Sequence, residues 1–155
     1  MEKFCAPPGR INLLKGIKST LIIDDTYNAS PTSTLAALDV LGKIVSSRKI
    51  AVFGDMLELG EDTEKGHKNV AKKFIEVKGN VFFVVGERMK FAIMELERHK
   101  FPKENIFSFD DPMEAGRKLQ EVMKPGDIIL IKGSQSMRME KVVEEVMLEP
   151  QRASE

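Results

Sequence analysis

Short, unbroken apolar runs are the clearest feature of the hydrophobic pattern. They occupy residues 21–23, 50–53, 81–85 and 128–131, with a weaker run at 106–109. Because these runs lack polar alternation, each is predicted to be a strand with both faces covered, as in a parallel sheet.

Stretches with helical periodicity lie between the runs. Ser30 can N-cap the first predicted helix, with Pro31 at its first position, where the missing N–H costs nothing. Asp111, Pro112 and Glu114 form a capping-box pattern for a later helix. Apolar stripes predict five helices: Leu35, Leu38, Leu41 and Val45; Val70, Ala71, Phe74 and Ile75; Met89, Ala92, Ile93 and Leu96; Ala115, Leu119 and Val122; Val142, Val143, Val146 and Met147.

Strands that alternate with helices imply right-handed crossovers and a sheet covered on both sides. The predicted fold class is therefore α/β, a Rossmann-like three-layer sandwich with a mostly parallel sheet. Residues 11–14 and 20–23 flank the sequence Lys15-Gly16-Ile17-Lys18, a candidate hairpin loop that would add one antiparallel edge strand.

The length of 155 residues suits one domain. Pro7-Pro8-Gly9 predicts a linker over residues 1–9. The predicted domain spans residues 10–148, and residues 149–155 are expected to form a flexible tail. Hydrophobic residues make up 42% and charged residues 31%, a balance typical of a chain that folds alone.

Charge and cysteine content narrow the class of protein. Basic and acidic residues both number 24, so nucleic acid and anionic membranes are disfavoured as partners. Cys5 has no partner for an internal disulfide. No apolar run approaches a membrane span of about 18 residues, and residues 1–9 lack a signal-peptide core, so a cytoplasmic location is expected.

Polar residues follow each predicted strand, where ligands bind in open α/β sheets. These are Asp24-Asp25, Gly54-Asp55, Gly86-Glu87, Asp110-Asp111 and Lys132-Gly133-Ser134. Any one of them is equally explained by a buried strand that emerges into water. Only the whole set favours a site.

The segment from Asp24 to Pro31 has the composition of a nucleotide site. A carboxylate such as Asp25 can accept hydrogen bonds from both ribose hydroxyls, and the ring of Tyr27 can cover a base. The helix N-terminus that follows offers N–H groups to an anion. Turn formation by Asp25 and Asn28, with Tyr27 as a packing residue, explains the segment equally well.

Three further positions could bind anions or a substrate. Arg10 leaves a stiff linker and can present a guanidinium to phosphate, or it can simply be solvated. Lys132-Gly133-Ser134 suits a carboxylate or phosphate, although a plain strand-to-helix turn explains it nearly as well. Residues 54–60 expose Asp55 and Glu58 between glycines, or form an irregular surface loop.

Two common nucleotide-gripping motifs are absent. The sequence has neither G-x-x-x-x-G-K-[ST] nor G-x-G-x-x-G, so the chain lacks the usual means of holding a triphosphate or dinucleotide. His67 and His99 have no cysteine companions at ligand spacing, which argues against a structural zinc site. Surface helix positions are predicted for both histidines.

Four motifs together resemble one family. In order they are Pro8-Gly9-Arg10-Ile11-Asn12; residues 23–31 continuing into Ala36-Ala37-Leu38; residues 54–60; and Lys132-Gly133-Ser134 followed by Met137-Arg138-Met139-Glu140. This order resembles the carboxy-terminal domain of the Mur ligases over roughly residues 7–147. The D-D-T-Y-N-A-[NS]-P form is similar to members that add D-alanyl-D-alanine to a UDP-linked tripeptide.

The resemblance implies a two-step reaction. ATP phosphorylates the terminal carboxylate of UDP-MurNAc-tripeptide, and the amine of D-alanyl-D-alanine then attacks the acyl phosphate. In such ligases the central domain holds the phosphate loop, the magnesium ions and most catalytic groups, and the last domain closes over them. This sequence lacks the central and amino-terminal domains, so the chain alone is expected to be inactive, whether it is an excised domain or a natural fragment.

The resemblance also assigns residues to ligands, and none of them to catalysis or to metal. Asp25 would bind the ribose, with Asp24 as the alternative, and Arg10 would reach the phosphates. Tyr27 and Asn28 would line the adenine side. The residues that would face the dipeptide are Lys132, Ser134, Asp55 and Glu58.

Two rival functions remain open. A signalling receiver domain could use Asp24-Asp25, Asp55 and Lys132 as a magnesium-assisted phospho-acceptor site. Against it, Asp55 lies in a Gly-flanked loop, and the edge hairpin has no counterpart in that fold. A stand-alone module that binds adenine nucleotide or a partner protein is the other rival.

Overall fold

A single six-stranded sheet organises the chain in a computed structural model that describes residues 11–45 and 47–148. The strand order is β1-β2-β6-β3-β4-β5. The strands are β1 (Asn12–Gly16), β2 (Thr20–Asp25), β3 (Lys49–Gly54), β4 (Val81–Val85), β5 (Ile106–Phe109) and β6 (Ile128–Lys132). All five predicted apolar runs lie in strands, the weak run at 106–109 included.

The sheet is parallel except at one edge. β1 pairs with β2 antiparallel, and the other four strand pairs are parallel. This confirms the predicted α/β class and the antiparallel edge strand. The hairpin connection is shifted from the expected one, because β1 continues through Gly16 and a 3-10 turn, Ile17–Ser19, makes the reversal.

Five α-helices cover the sheet, as predicted. They are α1 (Pro31–Gly42), α2 (Thr63–Glu76), α3 (Lys90–Arg98), α4 (Pro112–Val122) and α5 (Glu140–Val146). Within the described ranges, no helix is long and apolar enough to cross a membrane.

The starts of α1 and α4 depend on side-chain caps. The Ser30 hydroxyl accepts a hydrogen bond from the Ser33 backbone N–H, and the Ser33 hydroxyl accepts one from Ser30 N–H. This reciprocal cap holds residues 28–30 at the point where the chain leaves β2. At α4, Asp111 accepts from the Met113 N–H. The expected stripe on α1 is wrong at Val45, which lies beyond the helix end and is 75% exposed.

Two apolar layers hold the helices to the sheet. Side chains alternate between the faces of each strand. Ile23 and Leu130 therefore pack on the face covered by α1, α2 and α3, while Ile22 and Ile129 pack on the face covered by α4 and α5. The same alternation places Asp25 and Lys132 at the end of the first face and Asp24 at the end of the second.

Candidate functional site

Three connected hollows cross the carboxyl edge of the sheet. The central groove, about 790 Å³, is lined by the segments after β2, β3 and β6 and includes Tyr27, Glu58 and Ser134. The α1 groove, about 440 Å³, lies between Asp25 and Val40 on the face of α1. The rear hollow, about 380 Å³, lies beside the starts of α4 and α5. Tyr27 and Asn28 line the first two, so these hollows form a continuous surface.

A buried ion pair joins the ends of β2 and β6. The Lys132 ammonium donates to Asp25 Oδ2 at 2.8 Å and to the Asn28 carbonyl oxygen at 2.8 Å. The side chains of Lys132 and Asp25 are only 2% and 13% exposed. Parallel pairing sets Asp25 directly beside Lys132, which explains how residues 107 positions apart meet. The pair fixes the segment that carries Tyr27.

The α1 groove joins a polar end to an apolar wall. Asp25 Oδ1 has no hydrogen-bond partner among the described residues, so it can accept from a ligand hydroxyl. Tyr27 is 53% exposed and lines the groove together with Ala36 and Val40. One carboxylate oxygen beside a flat apolar surface suits a sugar hydroxyl attached to a ring system.

Asp24 occupies a different environment from its neighbour. Its carboxylate accepts from the Thr26 hydroxyl at 2.8 Å on the α4–α5 face. Burial raises the pKa of Asp24, and the charges of Asp25 and Glu140 add to the rise, which outweighs the lowering by hydrogen bonds from Thr26. Of the two acids, only Asp25 lines the α1 groove.

The loop after β3 is held by its neighbours on both sides. Asp55 is buried, and its Oδ1 accepts from the Met89 N–H at 2.9 Å, with Arg88 at 3.5 Å from Oδ2. The Ser134 hydroxyl accepts from the Leu57 N–H at 3.0 Å. Asp55 is therefore a support of the loop, whereas the next acid, Glu58, lines the central groove.

His67 anchors the same loop, and the expected surface position is wrong for it. The ring is fully buried, its Nε2 accepts from the Met56 N–H at 3.1 Å, and its Nδ1 donates to the Thr63 carbonyl oxygen at 2.6 Å. Both bonds together require the neutral ring. His99, by contrast, lies at the end of α3, where its Nε2 is 2.9 Å from Glu95.

Mild acid is expected to destabilise the fold through His67. Burial lowers its pKa from the ordinary 6.5, and Arg88 lowers it further, against smaller raising effects of the Thr63 hydrogen bond and of Asp55. The unfolded chain therefore takes up a proton at a pH where the folded protein does not. The unfolding free energy should fall as pH drops below about 6.5, until the lowered folded-state pKa is passed.

Urea unfolding of His67→Gln, which keeps a neutral donor and acceptor, tests this expectation between about pH 7.5 and 5.5. The variant should lose part of the pH dependence, and His99→Gln should keep the contribution of His67. An unchanged slope in His67→Gln would show that His67 does not carry the effect.

Arg138 and Glu140 complete the central groove. Both residues belong to the last of the four family motifs, but the resemblance gives neither of them a role. Arg138 Nε donates to Glu140 Oε2 at 2.6 Å, and both residues line the groove. Burial raises the pKa of Glu140, but hydrogen bonds from Arg138 and the backbone, and the nearby charges of Arg138 and Lys141, lower it by more. The net pKa is below the ordinary value, so Glu140 is a carboxylate at neutral pH.

The predicted site residues thus divide into three groups. Asp25, Tyr27, Asn28, Ser134 and Glu58 line the two connected grooves, and Lys132 reaches the α1 groove beside Asp25. Asp24 and Asp55 stand apart from the groove walls. Arg10 lies outside the described residues, as do the predicted linker 1–9 and tail 149–155.

No group of three or more His, Cys, Asp or Glu side chains in residues 11–45 and 47–148 could hold a metal ion. The acids of the grooves are dispersed among several elements, and Asp25 and Asp55 are already paired with a cation. The described residues of the grooves therefore do not form a magnesium site.

A comparison with family models places the chain in a known family. Residues 9–135 match the family model described as "Mur ligase, glutamate ligase domain", and the chain belongs to this family. Membership of this family rules out the rival interpretation as a signalling receiver domain.

The similar proteins include curated relatives and solved structures. UDP-N-acetylmuramoyl-tripeptide–D-alanyl-D-alanine ligase of Bacillus subtilis is 32% identical over 91% of the chain and 31% of the relative. The ligase of the same name from Rickettsia prowazekii is 30% identical over 83% of the chain and 28% of the relative. The chain therefore spans about a third of the length of these relatives.

The structural comparisons agree. A crystal structure of MurF ligase from Thermotoga maritima in complex with ADP matches with a TM-score of 0.74 and 29% identity, over 92% of this chain and 31% of that chain. MurF from Acinetobacter baumannii matches with a TM-score of 0.75 and 30% identity, over 93% and 31%.

Proposed function

We propose that this chain is the carboxy-terminal domain of an ATP-dependent ligase that joins D-alanyl-D-alanine to UDP-MurNAc-tripeptide in peptidoglycan synthesis. The relatives named for this reaction, and the bound ADP in a similar ligase, support the assignment. The observation that carries it is the pair of connected grooves at the carboxyl edge of the sheet, one suited to a nucleoside and one to a small polar substrate.

The α1 groove is the proposed nucleotide side. Asp25 accepts from the ribose through Oδ1, because Oδ2 is already bound to Lys132. Tyr27 and Asn28 cover the adenine. Lys132 acts on this side through Asp25 and the Asn28 carbonyl, and Arg10 contacts phosphate. Asp24 is disfavoured as the ribose ligand, because its carboxylate lies on the opposite face and is bound by Thr26.

The central groove is the proposed dipeptide side. Glu58 offers a carboxylate to the dipeptide ammonium. The oxygen of the Ser134 hydroxyl accepts from the Leu57 N–H, and its proton can be donated to the dipeptide. Asp55 acts indirectly, by holding the loop that carries Glu58. In this arrangement the dipeptide amine would lie beside the nucleotide, at the junction of the two grooves formed by Tyr27 and Asn28.

The remaining domains of the ligase supply the phosphate loop, the magnesium ions and the UDP-sugar site. Closure of this domain over them expels water, which strengthens charge interactions and protects the acyl phosphate from hydrolysis. Because both grooves are open, the isolated chain should bind ATP weakly and catalyse nothing by itself.

A chimera tests the function directly. This chain would replace the matched 142-residue segment of the Bacillus subtilis ligase. The expected result is phosphate release from ATP that depends on both UDP-MurNAc-tripeptide and D-alanyl-D-alanine. Release by a folded chimera that proceeds with a single amino acid but not with the dipeptide would contradict the proposal.

Asp25→Asn in the chimera should raise the KM for ATP about tenfold. The amide oxygen is expected to face Lys132, which leaves an N–H₂ donor where the ribose needs an acceptor. Asp24→Asn is the matched control and should leave this KM unchanged. The opposite ranking would move the ribose contact to Asp24.

A further inference from the structure

We propose that Arg138 binds the terminal carboxylate of the incoming dipeptide at the end of the central groove farthest from the nucleotide. This inference rests on the proposed function, and it names a residue to which the family resemblance gave no role. Three features of Arg138 carry it: the free part of its guanidinium, its place along the grooves, and its charge.

Only part of the Arg138 guanidinium is hydrogen-bonded. Its Nε donates to Glu140, while its two Nη groups have no hydrogen-bond partner among the described residues. The side chain is 61% exposed. The two Nη groups form a planar fork that matches both oxygens of a carboxylate. Glu140 is thus a positioning residue, which directs a fork that remains available.

The lining residues give the order of the hollows along the sheet edge. Tyr27 and Asn28 are shared by the α1 groove and the central groove, so they mark the nucleotide end. Ser136 and Arg138 are shared by the central groove and the rear hollow, so they mark the other end. A dipeptide with its amine at the first end directs its carboxylate toward the second.

The charges of the central groove fit a zwitterion in this direction. Glu58 and Glu140 are acidic, and Arg138 is the only cation among the described residues that line the groove. Lys132 does not substitute for it, because its ammonium is buried against Asp25 and Asn28. A free carboxylate in the groove therefore has one cationic partner available.

The backbone of Arg138 is also unusual. It has φ 57° and ψ 41°, the left-handed region that side chains other than glycine rarely adopt. Glu58, which lines the same groove, has φ 64°. Such conformations in residues with long side chains persist where the surroundings fix them, and they cluster at ligand sites. They set the direction in which both charged side chains leave the chain.

The test is an NMR titration of the ¹⁵N-labelled 155-residue chain with two probes, D-alanyl-D-alanine and D-alanyl-D-alaninamide. The dipeptide should shift the amides of residues 134–140 and bind about tenfold more tightly than the amide, which lacks the carboxylate. Arg138→Gln should remove that difference, because it should weaken binding of the dipeptide and leave binding of the amide unchanged. Arg98→Gln is the control for loss of an exposed arginine, since Arg98 is 65% exposed, pairs with a glutamate, Glu95, and lines none of the three hollows.

Each outcome decides between alternatives. Equal affinities for the two probes, no groove shifts at all up to on the order of 10 mM dipeptide, or an equal preference in Arg138→Gln would overturn the inference. So would an Arg138→Gln variant that binds ADP more weakly and the dipeptide normally, because Arg138 would then serve phosphate. ADP shifts at the α1 groove test the proposed function separately and can persist when the Arg138 inference fails.

Discussion

Lys132→Met is expected to lower the free energy of unfolding by about 3 kcal/mol and to disorder the proposed nucleotide side of the site. The change leaves the Asp25 carboxylate nearly buried without its cation and frees the Asn28 carbonyl oxygen. Removal of one partner from a buried pair has a larger effect than removal of a surface charge. Urea unfolding at pH 7 measures the loss.

A surface pair and a double variant provide the controls. Lys68→Met breaks an exposed pair with Glu64 one helical turn away and should change stability by no more than about 0.5 kcal/mol. Asp25→Asn combined with Lys132→Met should cost less than the sum of the single changes, because the unpaired charge is gone. A loss below about 1 kcal/mol for Lys132→Met would mean that the pair is not buried in solution.

Gly86→Ala is expected to lower the free energy of unfolding, measured with urea, by about 3 kcal/mol or more, because two unfavourable effects coincide. Gly86 has φ +109°, a conformation that L side chains rarely adopt. A Cβ atom there would also lie 2.5 Å from Cγ and Oδ2 of Asp55. The Asp55 carboxylate, which is buried, would have to move and would lose its hydrogen bond from the Met89 N–H.

Gly126→Ala separates the two effects. Gly126 has φ +89°, but a Cβ atom there would meet nothing within 4 Å. The Gly126→Ala variant should lose about 1 kcal/mol of unfolding free energy, which reflects backbone strain alone. The excess loss in Gly86→Ala then measures the displacement of Asp55, and the Leu57 amide should also lose protection from hydrogen exchange. Equal losses in the two variants would exclude that steric contribution.

Local pattern predicted the elements well, because each depends on residues close in sequence. The apolar runs gave the strands, and Ser30-Pro31 gave the start of α1. The edge strand followed from two runs separated by a short turn. Pattern failed at Val45, where an apolar residue continues the helical period although the helix has already ended.

The buried position of His67 could have been predicted from the helical pattern of the sequence. It precedes Val70, Ala71 and Phe74 at helical spacing, so it continues their buried stripe. A polar residue on such a stripe needs internal hydrogen-bond partners. The partner at Thr63 is one turn away, but the one at Met56 lies in another element, which periodicity does not reveal.

The site was predictable as a set of residue types and not as a set of contacts. Every polar segment after a strand belongs to the same edge of a parallel sheet, which brought Asp25, Tyr27 and Ser134 together. The Lys132–Asp25 bond depends on β6 lying beside β2, and a single sequence does not fix that order. The proposed role of Arg138 depends on a left-handed backbone after a 3-10 turn, and no glycine or asparagine at this position indicates that conformation.

An ADP titration of the ¹⁵N-labelled chain tests the central claim most directly, that the carboxyl edge of this sheet is half of a nucleotide and dipeptide cleft. Weak binding is expected, with a dissociation constant on the order of 1 mM and shifts concentrated at Asp25, Tyr27, Asn28 and Val40. Shifts that cluster instead on the outer face of α2, around Lys65 and Lys68, or that are absent from the α1 groove at saturation, would contradict it.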